Sequence, residues 1–138
     1  MLLYGQAYAL EVRSTLKLYH HLFSSMSSKK SVNVYVEDVE YANIFVKSKY
    51  INLVSDVDKA DFILVTTDKM LMKLNTKHMS NDTIIITNKY SHMTQSDKIV
   101  GAFYYRKGRK QFLFVKPRLE EHNVTLPSMY KKYIVDEL

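Results

Sequence analysis

Ile99-Val-Gly-Ala-Phe-Tyr-Tyr-Arg-Lys-Gly-Arg-Lys-Gln-Phe-Leu-Phe-Val-Lys116 is the stretch whose reading decides the fold. Two apolar runs, Ile99 to Arg106 and Lys110 to Lys116, flank a tight basic turn centred on Lys107-Gly108, the pattern of an antiparallel β-hairpin. Pro117-Arg-Leu-Glu-Glu121 and Leu126-Pro-Ser-Met-Tyr130 follow and predict two short helices, each with proline in its first turn. Upstream, apolar β-rich runs alternate with helix-like segments, so the hairpin is expected to close an α/β sheet from its edge.

Working back from the hairpin, Thr83-Ile-Ile-Ile-Thr87 and Phe62-Ile-Leu-Val-Thr66 are continuous apolar runs and read as buried central strands. Val32-Asn-Val-Tyr-Val36 alternates strictly, as a strand does, and a weaker strand is expected around Ile51 to Val54. Val12, Leu16, Tyr19, Leu22, Phe23 and Met26 recur at the spacing of one helical face. Glu37-Asp38 opens a second helix, Asp68 is placed to cap a third over Lys69 to Leu74, and polar Asn88 to Lys98 has room for one helical turn. Strands that alternate with helices require right-handed parallel crossovers. The predicted architecture is a three-layer α/β sandwich around a mixed sheet, with a parallel centre and the antiparallel C-terminal hairpin at the edge.

The chain has 138 residues, 46% of them hydrophobic and 25% charged, enough for one sizeable core and not for two. Without cysteine it has no disulfide, thiolate metal site or cysteine nucleophile. No G-x-S-x-G elbow is present, and three glycines are too few for a phosphate-binding loop. The five histidines include no H-x-x-x-H pair: His20 and His21 are helical neighbours pointing apart, and His78, His92 and His122 fall in separate loops or ends. They read as exposed and structural. No enzyme, metal site or cofactor is therefore expected. The net charge of +6 favours an acidic neighbour, while basic residues spread along the whole chain disfavour nucleic acid.

Residues 1–9 read separately from a single α/β domain over 10–138. Ala7-Tyr8-Ala9 is an A-x-A of the kind that precedes signal-peptidase cleavage, which would leave Leu10 as the mature N-terminus. No charged n-region precedes it, and Met1 to Tyr4 is far shorter than an apolar core of about 7–15 residues, so the segment reads as a signal-peptide remnant or as an ordinary N-terminus. No other run reaches the roughly 18 apolar residues of a membrane span.

Two sets of site residues emerge. Arg106-Lys-Gly-Arg-Lys110 is the densest positive charge, and such a turn either protects a sheet edge or contacts an acidic partner. With their aromatic neighbours, Tyr104, Tyr105, Arg106, Lys107, Arg109 and Lys110 form the candidate partner-binding set. Eleven tyrosines exceed what one small core hides, so some should be exposed. The second set lies at the carboxyl ends of the predicted parallel strands, where open α/β sheets bind ligands: Glu37, Asp38, Asp68 and Asn88. Together with Thr87 and Lys116 these echo the phosphoacceptor constellation of response-regulator receiver domains. The interval from Asp38 to Asp68 argues against it, being short for a full βαβ unit on each side.

The chain resembles the YfiR-like family of small periplasmic proteins. The resemblance rests on an N-terminal helix before an alternating strand, on Asp58-Lys-Ala-Asp-Phe-Ile-Leu-Val65, on Ile84-Ile-Ile-Thr87, and on the hairpin with a helix and a Leu-Pro-Ser segment behind it. It runs from Leu10 to about Tyr133. The chain departs from the family where a cysteine commonly precedes the central strand, having Ala60-Asp61 instead. The resemblance implies export to the periplasm and regulation, by direct contact, of a membrane-bound signalling protein of the diguanylate cyclase or histidine kinase type, without catalytic residues. A cytoplasmic flavodoxin- or receiver-like domain with a small-ligand or phosphoryl site at the strand ends is the alternative, and a nucleic-acid binder using the hairpin is a weaker third.

Overall fold

Strand β5 (Ile99–Arg106) pairs antiparallel with β6 (Arg109–Val115), with Tyr105 opposite Lys110, Phe103 opposite Phe112 and Gly101 opposite Phe114. A computed structural model describes residues 11–138, so the expected signal remnant at 1–9 lies outside the described residues. The hairpin closes through Lys107 and Gly108, whose φ angles of 52° and 78° are both positive, as a two-residue hairpin turn requires.

The chain begins with helix α1 (Val12–Met26), continues through β1 (Val32–Val36), α2 (Val39–Phe45) and β2 (Ile51–Leu53), and reaches β3 (Phe62–Val65) through one 3-10 turn at Val57–Lys59. Then come α3 (Asp68–Asn75), β4 (Ile84–Thr87), α4 (Tyr90–Gln95), the hairpin, α5 (Lys116–Glu121), a 3-10 turn over Ser128–Tyr133 and β7 (Ile134–Val135). The seven strands lie in the order β2-β1-β3-β4-β5-β6-β7. From β2 to β5 neighbours are parallel in the doubly wound 2-1-3-4-5 order, and β6 and β7 run the other way. This is the expected α/β sandwich with a mixed sheet. The turn at Val57–Lys59 explains how the interval from Asp38 to Asp68 still contains β2 and β3: their crossover has no α-helix.

Side-chain alternation divides the core between two faces. Val32, Val34, Phe62, Leu64, Ile84, Ile86, Phe103 and Phe114 meet α1, α2, Leu119 of α5 and Tyr130 on face one. Ile63, Val65, Ile85, Ile99 and Ala102 meet Met70, Leu71 and Leu74 of α3 and Met93 of α4 on face two. α1 buries Thr15, Tyr19, Leu22, Phe23 and Met26 along one stripe and starts where the Glu11 carboxylate accepts the backbone N–H of Ser14 at 2.5 Å. Tyr19 is its anchor, with ring centroids 5.3–5.9 Å from Phe23, Tyr41, Phe45 and Phe103, so one side chain ties α1 to α2 and β5.

Three local readings are corrected. Thr67 and not Asp68 caps α3: its hydroxyl accepts the Met70 N–H at 3.1 Å, and Asp68 is the first helical residue. The second proline segment folds as a 3-10 turn, with Pro127 just before it. The hairpin is also not bare at its outer side, because β7 pairs in parallel with Phe114 and Val115. Two residues cannot show a period, which hid β7 from the sequence.

Gly101 is fixed by packing. A Cβ there would lie 2.7 Å from Cε1 of Phe114, whose ring is 1% exposed and has nowhere to move. Gly101→Ala is expected to destabilise the protein by about 1–3 kcal/mol through overpacking, read as a lower urea midpoint at unchanged slope.

Candidate functional site

In an antiparallel pair, directly opposed residues share a face, so the predicted partner-binding set divides in two. Tyr105 and Lys110 stand on face one, in line with Phe103 and Phe112; the Tyr105 ring lies 5.6 Å from Phe103 and is 57% exposed. Tyr104, Arg106 and Arg109 stand on face two, where the half-buried Tyr104 ring lies 5.9 Å from Tyr90. Lys107 is in the turn. Arg106, Lys107, Arg109 and Lys110 are all exposed, and among the described residues none is in an ion pair.

Lys110 also belongs to a groove that sequence reasoning did not find. It lies between α1, β6 and the 3-10 turn at Ser128–Tyr133, with a volume of about 600 Å³. Its apolar surface comes from Leu18, Phe112, Met129 and Tyr133, and Lys17, Lys110 and Lys132 surround it. The Phe112 ring is the floor, 5.6 Å from Tyr130 and 5.2 Å from Tyr133. The two walls are joined by a 3.0 Å hydrogen bond between His21 Nδ1 on α1 and the Tyr130 hydroxyl. Burial raises the pKa of that hydroxyl. Lys17, Lys110 and Lys132 lie so far apart in sequence that only the fold brings them together.

At the carboxyl ends of the parallel strands the four predicted ligand residues are placed as follows. Glu37 accepts from the Tyr35 hydroxyl at 2.7 Å and pairs with Lys73 at 2.5 Å; the Lys73 ammonium, then the Tyr35 hydroxyl, hold its carboxyl below the usual range. Asp38 caps α2 by accepting the Tyr41 N–H at 3.0 Å. Asp68 meets His92 at 2.9 Å. Asn88 donates to the Tyr41 hydroxyl across 3.4 Å, and its Oδ1 is buried without a partner. Lys116 stands elsewhere: β6 runs antiparallel, so its end at Val115 lies beside the start of β5, at the opposite end of the sheet from Asp68. A receiver-type grouping of Asp68 with Lys116 is therefore not formed.

His92, expected to be exposed, is fully buried. Its Nδ1 lies 2.7 Å from the Thr87 hydroxyl and its Nε2 2.9 Å from Asp68 Oδ1, and the Thr87 hydroxyl donates to the Val65 carbonyl at 2.9 Å. The order of groups is that of a Ser-His-Asp triad. Thr87 is 0% exposed, so its hydroxyl meets no substrate, and the relay instead fastens α4 to the ends of β3 and β4. The reading failed because His92 sits in a polar segment whose helix is only six residues long, too short to display a buried face. Among the described residues no group of three His, Asp or Glu side chains could hold a metal ion, and no helix is long and apolar enough to cross a membrane.

Comparison with known proteins adds fold information only. No family model and no curated protein matches this chain. The structure is similar to the crystal structure of a conserved domain protein from Vibrio cholerae O1 biovar El Tor, with a TM-score of 0.55 at 10% sequence identity. The match covers 87% of this chain and 59% of that one, so this chain spans about three fifths of its neighbour's length. It supports the α/β architecture, and function does not travel with a fold at that distance.

Two substitutions test these placements. Thr87→Val keeps the shape and leaves a buried His92 nitrogen without its partner, with an expected loss of about 1–3 kcal/mol in urea unfolding. Glu37→Gln tests the exposed network. A carboxyl with a lowered folded pKa contributes stability above its unfolded pKa and loses it as pH falls through the folded value. Wild type should therefore melt higher than Glu37→Gln at neutral pH, with the two curves converging in acid.

Proposed function

We propose that this protein is a non-enzymatic binding module whose hairpin tip engages an acidic surface of a protein partner. The observation that supports it is the tip itself: four exposed cations with no ion pair among the described residues, beside a Tyr105 ring that is 57% exposed. Unpaired charge of one sign speeds encounter with its complement, and an exposed aromatic gives the complex an anchor. The YfiR-like resemblance adds the setting, in which the module acts in the periplasm on a membrane-bound signalling protein of the diguanylate cyclase or histidine kinase type. No group in this reading performs chemistry on a substrate.

A second reading, a small ligand at the strand ends, is favoured by the unpartnered Asn88 Oδ1 and by the Asp68 side chain, 77% exposed. Against it, Glu37 and Asp38 already have partners within the protein.

The test is reversal of Arg106, Lys107 and Arg109 to Glu. Surface changes usually cost within about 0.5 kcal/mol each, so the fold should survive. Binding to a signalling protein cross-linked and identified in the native membrane should lose on-rate and salt dependence, while Tyr105→Ala should raise the off-rate. Unchanged rates and salt dependence in the reversed protein would leave the tip as a protected edge. Fractionation of the native host, with the mature N-terminus read by mass spectrometry, should recover a periplasmic species beginning near Leu10; a cytoplasmic species retaining Met1 would reject that setting.

A further inference from the structure

We propose that the groove between α1, β6 and the Ser128–Tyr133 turn binds an amphipathic carboxylate, an alkyl chain ending in a carboxyl group. A volume of about 600 Å³ falls in the size class of small-ligand sites, roughly 300–1,000 Å³. The lining suits an alkyl chain: Phe112, Tyr133 and Leu18 supply apolar surface, and Met129, 58% exposed, lines the same space. Methionine is flexible and polarisable, and an exposed one at the mouth of an aromatic groove adapts to an apolar guest.

The rim selects the head group. Lys17 from α1, Lys110 from β6 and Lys132 from the C-terminal turn reach the same space from three separate elements, and no carboxylate lines it. Among the described residues none of the three is in an ion pair. Lys132 is further held by its own neighbour, with Nζ 5.1 Å from the centre of the Tyr133 ring, which keeps one ammonium over the apolar floor. Each ammonium offers three donors and no acceptor, and three positive charges around one space favour an anionic acceptor over a neutral one.

The site is also preformed. The 3.0 Å bond between His21 and Tyr130 fixes the distance between the walls, and Tyr130 is buried against Phe114 with ring centroids 5.8 Å apart. A guest therefore does not have to order its own site, and that ordering cost is not subtracted from its affinity. This site shares Lys110 with the hairpin tip, and Lys17 and Lys132, which lie outside the hairpin, distinguish the two.

The experiment titrates the full chain, labelled with ¹³C at the methionine methyl groups, with sodium laurate and with neutral dodecyl maltoside, each below its micelle concentration. The expected result is a saturable shift of the Met129 methyl with laurate, with weaker binding of the neutral amphiphile. Lys17→Gln/Lys132→Gln, with its melting temperature unchanged, should weaken laurate by about tenfold, the scale of one charge-assisted hydrogen bond. Four results would each overturn the proposal: no saturable Met129 shift, equal shifts at methionines away from the groove, equal binding of the two amphiphiles, or full laurate affinity in the double variant. A Met129 shift that depends on protein concentration without laurate would assign the groove to a second copy of the chain instead. Loss of partner capture by the hairpin variant, with laurate binding retained, separates this site from the tip.

Discussion

At Lys107 and Gly108 the backbone takes φ of 52° and 78°, and that reversal lays β6 back along β5 with Tyr105 facing Lys110. Much of the C-terminal architecture follows. Because β6 runs antiparallel, it ends at the amino ends of the parallel strands, and α5 starts there. The Arg118 guanidinium holds that end by donating to the carbonyls of Met93, Ser96 and Ile99 at 2.9–3.1 Å. The chain then returns over face one, where Tyr130 meets both Phe112 and Phe114. The groove is the space left between that returning segment and α1.

The parts of the fold that were legible are those whose burial has a period or a run. Val32 to Val36 alternates because only one of its faces meets the deep core, while Phe62 to Val65 and Ile84 to Thr87 are buried on both faces and read as unbroken apolar runs. The hairpin was legible from its turn. What was not legible was decided by partners distant in sequence. His92 is buried because Thr87 and Asp68 satisfy both ring nitrogens, a fact visible only once β4 and α3 are side by side. Asp68 likewise was read as a cap because it precedes a helix, and Thr67, one residue earlier, takes that role in extended geometry with φ near −135°.

The same logic separates the two predicted sites. A doubly wound sheet offers a crevice where the strand order reverses, here beside β1 and β3. In this chain the β2-to-β3 crossover is one 3-10 turn, and Tyr35, packed against the face-two core, extends its hydroxyl to Glu37, which Lys73 of α3 completes. Polar groups satisfied by each other have little left for a ligand. At the hairpin the six residues chosen as one patch fall on opposite faces, because strand alternation places Tyr104 and Tyr105 on different sides of the sheet. Contiguity in sequence overstated that patch; Lys110, shared between tip and groove, gives it its spatial continuation.

Charge compensation shows the same division. Among the described residues three ion pairs, Lys29–Asp61, Lys73–Glu37 and Lys77–Asp58, and the His92–Asp68 hydrogen bond all involve residues between α1 and α4. Among the described residues none involves β5, β6, β7 or the turns around them, although the net charge of +6 requires cations to be left over somewhere. Surface pairs of this kind add little to stability, so their placement matters more for the field than for the fold. Lys30, Lys47, Lys49, Lys59 and Lys69 are exposed outside these pairs as well, but from Ile99 to Leu138 eight Lys and Arg stand against four Asp and Glu, so four of the six excess positive charges belong to the segment that carries the hairpin tip and two of the groove lysines. A surface in that condition is costly to leave facing a cation and favourable to place against an anion, which is why both binding proposals fall on the β5–β7 side of the sheet.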